Sequence, residues 1–244
     1  MSSSVPALFI LKVGTSFPAT VQSLGDFDAW TRVALGEMTT PVVVLDVPQG
    51  AELPPVNACA GVVITGSHAM VTEHLPWSMA IESWLPELVE AGVPVLGVCY
   101  GHQLLAQATG GEVGYHPQGK EVGTKYVELT PAGAADPLFD GLPTVFPAHT
   151  THAQTVLRLP PGAVCLAAND HEPHHAFRLG HCAWGVQFHP EYTAAIMTAY
   201  IEHQASALQQ QGEDAEQLLR EVRDTPEAAA VISRFAALVE RRGR

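Results

Sequence analysis

At 244 residues, 47% hydrophobic and 15% charged, the chain is long enough to bury a core without staples and has the composition of an ordinary globular protein. Its 25 acidic against 12 basic residues give a net charge of −13, which argues against polyanionic partners, so neither nucleic acid nor an anionic membrane is expected. Four cysteines (Cys59, Cys99, Cys165, Cys182) without a basic, cleavable leader fit a reducing compartment, and a cytoplasmic setting is expected.

Along the first hundred residues, short β-rich runs alternate with longer helical stretches, the pattern of a parallel sheet wrapped by helices. Strands are predicted at 7–11, 42–47, 61–65 and 93–98. The segment GDFDAW (25–30) marks a helix start, with Asp26 or Asp28 as the cap and Phe27 and Trp30 as packing residues. Between the third and fourth strands, LPWSMAIESWLPELVEAG (75–92) sets Ile81, Trp84, Leu85 and Leu88 three and four apart, a helix with one apolar face that Gly92 ends. After residue 111 the pieces 125–130, 155–159, 163–168, 175–179 and 182–188 read as antiparallel strands returning to the sheet. From about 192 the pattern becomes helical, Pro226 starting a last helix. The fold class is therefore α/β, with a mostly parallel central sheet flanked by helices, an additional antiparallel region and a C-terminal helical tail. Residues 1–244 read as one domain, about 195–244 being a helical extension.

The stretch VPVLGVCYGHQLLAQATGG (93–111) places Cys99 between Gly97 and Gly101, where an apolar strand turns into a helix. A nucleophile elbow needs small residues there because neighbouring backbone comes too close for side chains. Cys99 takes the nucleophile's position, where a helix N-terminus stabilises a thiolate and free backbone N–H groups such as that of Tyr100 can hold an oxyanion. The competing reading makes Cys99 a small buried hydrophobe beside a simple turn.

A thiolate that attacks an amide needs a proton donor for the leaving amine, and histidine is the usual one. In GVQFHPEY (185–192) an apolar strand ends in His189-Pro190-Glu191. Proline disposes the preceding residue to extended backbone, in which positions i and i+2 share a side, so Glu191 can orient the His189 ring. The alternative is a polar strand end. Both signals lie at strand ends, the edge where open α/β sheets carry their sites.

These residues, together with GVVITGSHAMV (61–71), resemble the class I, or triad-type, glutamine amidotransferases, above all the amidotransferase domain of GMP synthase and its stand-alone relatives; the likeness covers about residues 40 to 195. The resemblance implies Cys99 as nucleophile, His189 as general acid/base and Glu191 as its orienting carboxylate, with a glutamyl thioester that releases ammonia and is then hydrolysed. It further implies an oxyanion hole from the backbone N–H groups of Ser67 and Tyr100. The implied substrate contacts are Gly66, Gln103, Thr151, His152 and Ala153. Ala153 and Gln154 depart from the family pattern, usually Gly-Asp, which mildly favours γ-glutamyl substrates other than glutamine.

Two other motifs are decoys. His171-Glu172-Pro173-His174-His175 matches H-E-x-x-H, but Pro173 breaks the helix that motif requires. His149 and His152 have no third ligand at a recognisable spacing, so neither metal nor cofactor is expected. The leading expectation is an enzyme that hydrolyses the side-chain amide of L-glutamine, its ammonia passing to a synthetase on a separate polypeptide. The alternatives are a partner-independent γ-glutamyl hydrolase or peptidase and a non-catalytic regulatory module of the same fold.

Overall fold

The computed structural model describes residues 5–242. Nine strands form one sheet in the order β2-β1-β3-β4-β11-β10-β9-β6-β7. Its parallel half consists of β1 (Ala7–Lys12), β2 (Val42–Asp46), β3 (Cys59–Ile64), β4 (Val95–Val98) and β11 (Ala183–Val186). The antiparallel half adds β10 (Ala176–Leu179), β9 (Val164–Ala168), β6 (Glu121–Leu129) and β7 (Val145–His152). The expected α/β class, with its antiparallel region and helical C-terminus, is the observed one.

Strand alternation divides the core between two faces. Leu11, Val62, Ile64 and Val95 pack under α3 (Pro76–Glu90) and α4 (Tyr100–Ala108), whereas Leu8, Ile10, Val63 and Leu96 face the other way, toward α8 (Pro226–Arg242). α8 lies against α2 (Phe27–Leu35) and is part of the core: Val231, Ile232 and Phe235 are fully buried. Gly61 permits this approach, since a Cβ there would stand 2.7 Å from Val239 Cγ2.

Several boundaries differ from the sequence expectations. Residues 155–159 do not return to the main sheet. Their strand, β8 (Gln154–Arg158), pairs with β5 (Glu112–Tyr115) in a separate two-stranded sheet. β5, β7 and α1 (Pro18–Leu24) have no counterpart in the predicted elements. β7 carries Pro147 in its interior, and its place at the sheet edge tolerates the missing ladder donor. Of the two candidate caps for α2, Asp26 acts, accepting from Phe27 N at 2.9 Å.

Candidate active site

β4 ends at Val98, and α4 begins at Tyr100, leaving Cys99 alone in the turn at φ 50°, ψ −96°. A positive φ is costly for a residue with a side chain and persists only where surrounding structure enforces it. That enforcement is visible in the two glycines. A Cβ on Gly97 would land on the Gly101 carbonyl, and one on Gly101 would stand 2.5 Å from Ile64 O. The elbow reading of GVCYG therefore matches the backbone. Cys99 is 6% exposed, yet it lines a cavity of about 270 Å³, so it is not simply a core residue.

Parallel pairing brings the second motif alongside. Val98 sits opposite Val186 and Cys99 N donates to Val186 O at 2.8 Å, so the chain leaving β11 passes the elbow directly. His189, three residues on, also lines the cavity. The segment 189–192 is a turn, not extended backbone: Tyr192 N donates to His189 O at 3.3 Å. Pro190 supplies the φ that the second position of such a turn requires. His189 and Glu191 nevertheless meet as expected, Nδ1–H donating to Oε1 at 2.8 Å.

Burial disfavours the His189 imidazolium, but the charges of Glu191 and Cys99 and the hydrogen bond to Glu191 outweigh it and push its pKa up to about 10. A cation there, held by one carboxylate and facing a sulfur, is a proton donor in waiting. Nε2 has no oxygen or nitrogen partner among the described residues, which leaves it free for that task. Gly66 provides the room for the ring, since a Cβ on it would stand 2.9 Å from His189 Cε1.

The other anticipated residues gather at the same cavity. Ser67, Tyr100, Gln103, Thr151, His152 and Ala153 all line it, and neither the Ser67 nor the Tyr100 backbone N–H has a backbone acceptor among the described residues outside regular elements. Gln103 is fixed by its amide nitrogen, which donates to Gln154 O at 2.7 Å and Gln187 Oε1 at 3.0 Å. Both ring nitrogens of His152 are occupied, Nδ1 lying 3.0 Å from Gln154 O and Nε2 3.2 Å from Glu121 Oε2. Gln154 turns its side chain to Thr72 Oγ1 at 2.6 Å.

Sequence reasoning missed one whole wall: Phe17, His68, Lys120, Tyr192, Tyr200 and Gln204. Tyr200 and Gln204 are one turn apart on α6 (Ala194–Gln210), so the helical tail closes the cavity as well as packing on the body. The i, i+4 spacing of these two polar-tipped residues was the available signal. Phe27, expected only to pack, both packs and lines the cavity. Burial and the neighbouring His189 and Lys120 push His68 down to about 4, so this wall is aromatic and, apart from Lys120, uncharged. Residues 171–175 form bends and turns, which denies the H-E-x-x-H stretch the helix that would align its histidines.

Residues 27–206 match the model of the glutamine amidotransferase class-I family, and the chain belongs to that family. The glutamine-hydrolysing GMP synthase of Thermomicrobium roseum is 40% identical over 131 residues, 54% of this chain and 23% of that protein. The chain thus spans about a quarter of the length of that relative. The gamma-glutamyl-L-1-hydroxyisopropylamide hydrolase of a Pseudomonas species is 32% identical over 165 residues, 65% of this chain and 56% of that protein. The solved structure of a glutamine amidotransferase from Thermotoga maritima superposes with a TM-score of 0.73 at 22% identity, covering 99% of this chain and all of that one. Among the described residues no helix is long and apolar enough to cross a membrane.

Proposed function

We propose that this chain hydrolyses the side-chain amide of L-glutamine through Cys99. The Cys99 sulfur, its proton already resting on His189 Nε2, attacks the amide carbon, and the Ser67 and Tyr100 backbone N–H groups receive the developing oxyanion. His189 then returns the proton to the leaving nitrogen, the C–N bond breaks and ammonia departs. Water, deprotonated by His189, cleaves the thioester to glutamate. Glu191 holds the ring in the tautomer that both steps need. Gln103, Thr151 and Ala153 surround the substrate, Gly66 stands against the His189 ring and not in the cavity lining, and His152, its ring engaged elsewhere, contributes backbone. No metal or cofactor enters these steps. Residues 1–244 act as one domain, and the ammonia goes to a separate synthetase; the Pyrococcus furiosus relative, 38% identical over 128 residues, is one subunit of a glutamine-hydrolysing GMP synthase.

The observation that carries this reading is the His189–Glu191 contact of 2.8 Å directed at a cysteine held at φ 50° in a shared cavity. A second reading, a partner-independent γ-glutamyl hydrolase, draws on the Pseudomonas relative and on the aromatic wall around Phe17, Phe27 and Tyr200, which suits an amine larger than ammonia. The two separate in one assay. Purified protein is offered glutamine and γ-glutamyl alkylamides while released ammonia or amine is followed, with Cys99→Ala as control and a diazoketone analogue of glutamine as a label for the thiol. Glutamine turnover supports the first reading and turnover of alkylamides alone the second. Absence of both turnover and Cys99 labelling sinks both.

A further inference from the structure

Among the described residues Lys120 is the only lysine or arginine lining the cavity, and sequence reasoning gives it no role. It precedes β6, whose Glu121 lies opposite His152, so Lys120 stands beside Ala153 at the open end of the β6–β7 pair. Its Nζ donates to Gln204 Oε1, and Gln204 is turned toward it because its own Nε2 donates to Tyr200 O at 3.0 Å. That partner is neutral. Among the described residues no carboxylate lies within 4.0 Å of Nζ, although acids outnumber bases two to one in this chain.

A half-buried ammonium held by one neutral amide is short of hydrogen-bond acceptors and of compensating charge. A carboxylate entering the cavity supplies both, through a charge-assisted hydrogen bond. We propose that Lys120 anchors the α-carboxylate of the substrate, so that the site selects amides of a free γ-glutamyl unit over substrates whose α-carboxylate is blocked. The inference rests on the amide-cleaving role given above and adds to it a specificity determinant. Lys120 is a binding residue, since the reacting atoms are those at Cys99 and His189. The Gln204 amide is its positioning partner, which gives the helical tail a part in substrate choice.

The test is a binding measurement, independent of turnover. In Cys99→Ala protein, calorimetry is run with L-glutamine and L-glutamic acid γ-isopropylamide, each alongside its α-carboxamide counterpart. Adding Lys120→Met should weaken both free acids by about 10- to 100-fold, the range of a charge-assisted hydrogen bond, and leave the α-carboxamides unchanged. Lys120→Arg, which keeps the charge, should recover most of the affinity, with circular dichroism confirming that each variant is folded. Equal weakening of acids and carboxamides, no weakening in a folded Lys120→Met protein, or no binding of either free acid would each overturn the proposal. A failure of the amide-cleaving reading shows elsewhere, as the absence of Cys99 labelling in protein with Lys120 intact, and that result leaves the binding comparison standing.

Discussion

His189 and His152 each lean on a buried glutamate, at 2.8 Å from Glu191 and 3.2 Å from Glu121, and both rings are nearly inaccessible. The surroundings of the two pairs differ. His152 has its second nitrogen on Gln154 O, and Glu121 is shared with His175 at 3.3 Å and with Asn169 at 2.8 Å. Burial pushes Glu121 up, yet its hydrogen bonds from His152 and His175 overcome this and hold its pKa well below the usual carboxylate range. Both nitrogens of His152 and both oxygens of Glu121 are engaged, which makes this pair a strut beside the cavity. At His189 one nitrogen is left open beside a cysteine. A histidine–carboxylate pair is therefore not itself a sign of chemistry; what sets His189 apart is an open ring nitrogen beside a cysteine.

The sharpest way to break this comparison is to remove one member of each arrangement. Cys99→Ala should lower turnover by about 10⁶-fold, as removal of a nucleophile does elsewhere, and Glu191→Gln by about 10²- to 10⁴-fold through loss of the ring's orientation. Cys99→Ala should leave the thermal midpoint nearly unchanged. Glu121→Ala should do the reverse. It strands His152, His175 and Asn169 in the interior and should cost about 3 kcal/mol of stability, while the protein that remains folded keeps its kcat within a few-fold. If Glu121→Ala, measured per folded molecule, loses as much kcat as Glu191→Gln, the division into strut and site is wrong.

The elbow offers a test of intermediate size. Gly101→Ala drives a methyl against Ile64 O, which belongs to a strand and cannot yield, so a loss of about 1–3 kcal/mol is expected by urea denaturation. Gly119→Ala is the control for the loss of a glycine's permissiveness alone, because its φ of 89° is strained for alanine but nothing lies within 4 Å of the added Cβ. A Gly101 effect no larger than the Gly119 effect would show that crowding at the elbow is not what shapes it.

The same comparison explains what could be read from the chain. GVCYG and FHPEY were legible because the requirement is local: glycines where backbones collide, a proline and a carboxylate within two residues of a histidine. Parallel pairing of Val98 with Val186 then joined them, which the strand-end position of both motifs had anticipated. β7 was illegible because VFPAHTTH mixes polar residues with a proline and reads as loop until its place at the sheet edge is known. Lys120 was illegible for another reason. Its meaning depends on Gln204, 84 residues away on a helix that sequence alone could only describe as a tail.

The two pairs should also fail at opposite ends of the pH scale, an effect on the order of 1 kcal/mol per unit of pH within each window. For His189 the folded pKa, about 10, lies above its value in the unfolded chain, near 6.5, so its contribution is complete below about pH 6.5 and is lost as pH rises through 10. For Glu121 the folded pKa lies below the unfolded value of about 4.3, so its contribution is complete above that value and is lost as pH falls beneath it. Urea midpoints measured from pH 3 to 10 should therefore show an acid limb that Glu121→Gln flattens and an alkaline limb that Glu191→Gln flattens. Should Glu191→Gln leave the alkaline limb intact, the His189 proton is not held by its carboxylate. The donor assigned to the leaving nitrogen would then have to be reconsidered together with the open nitrogen that distinguishes this pair from the buried one.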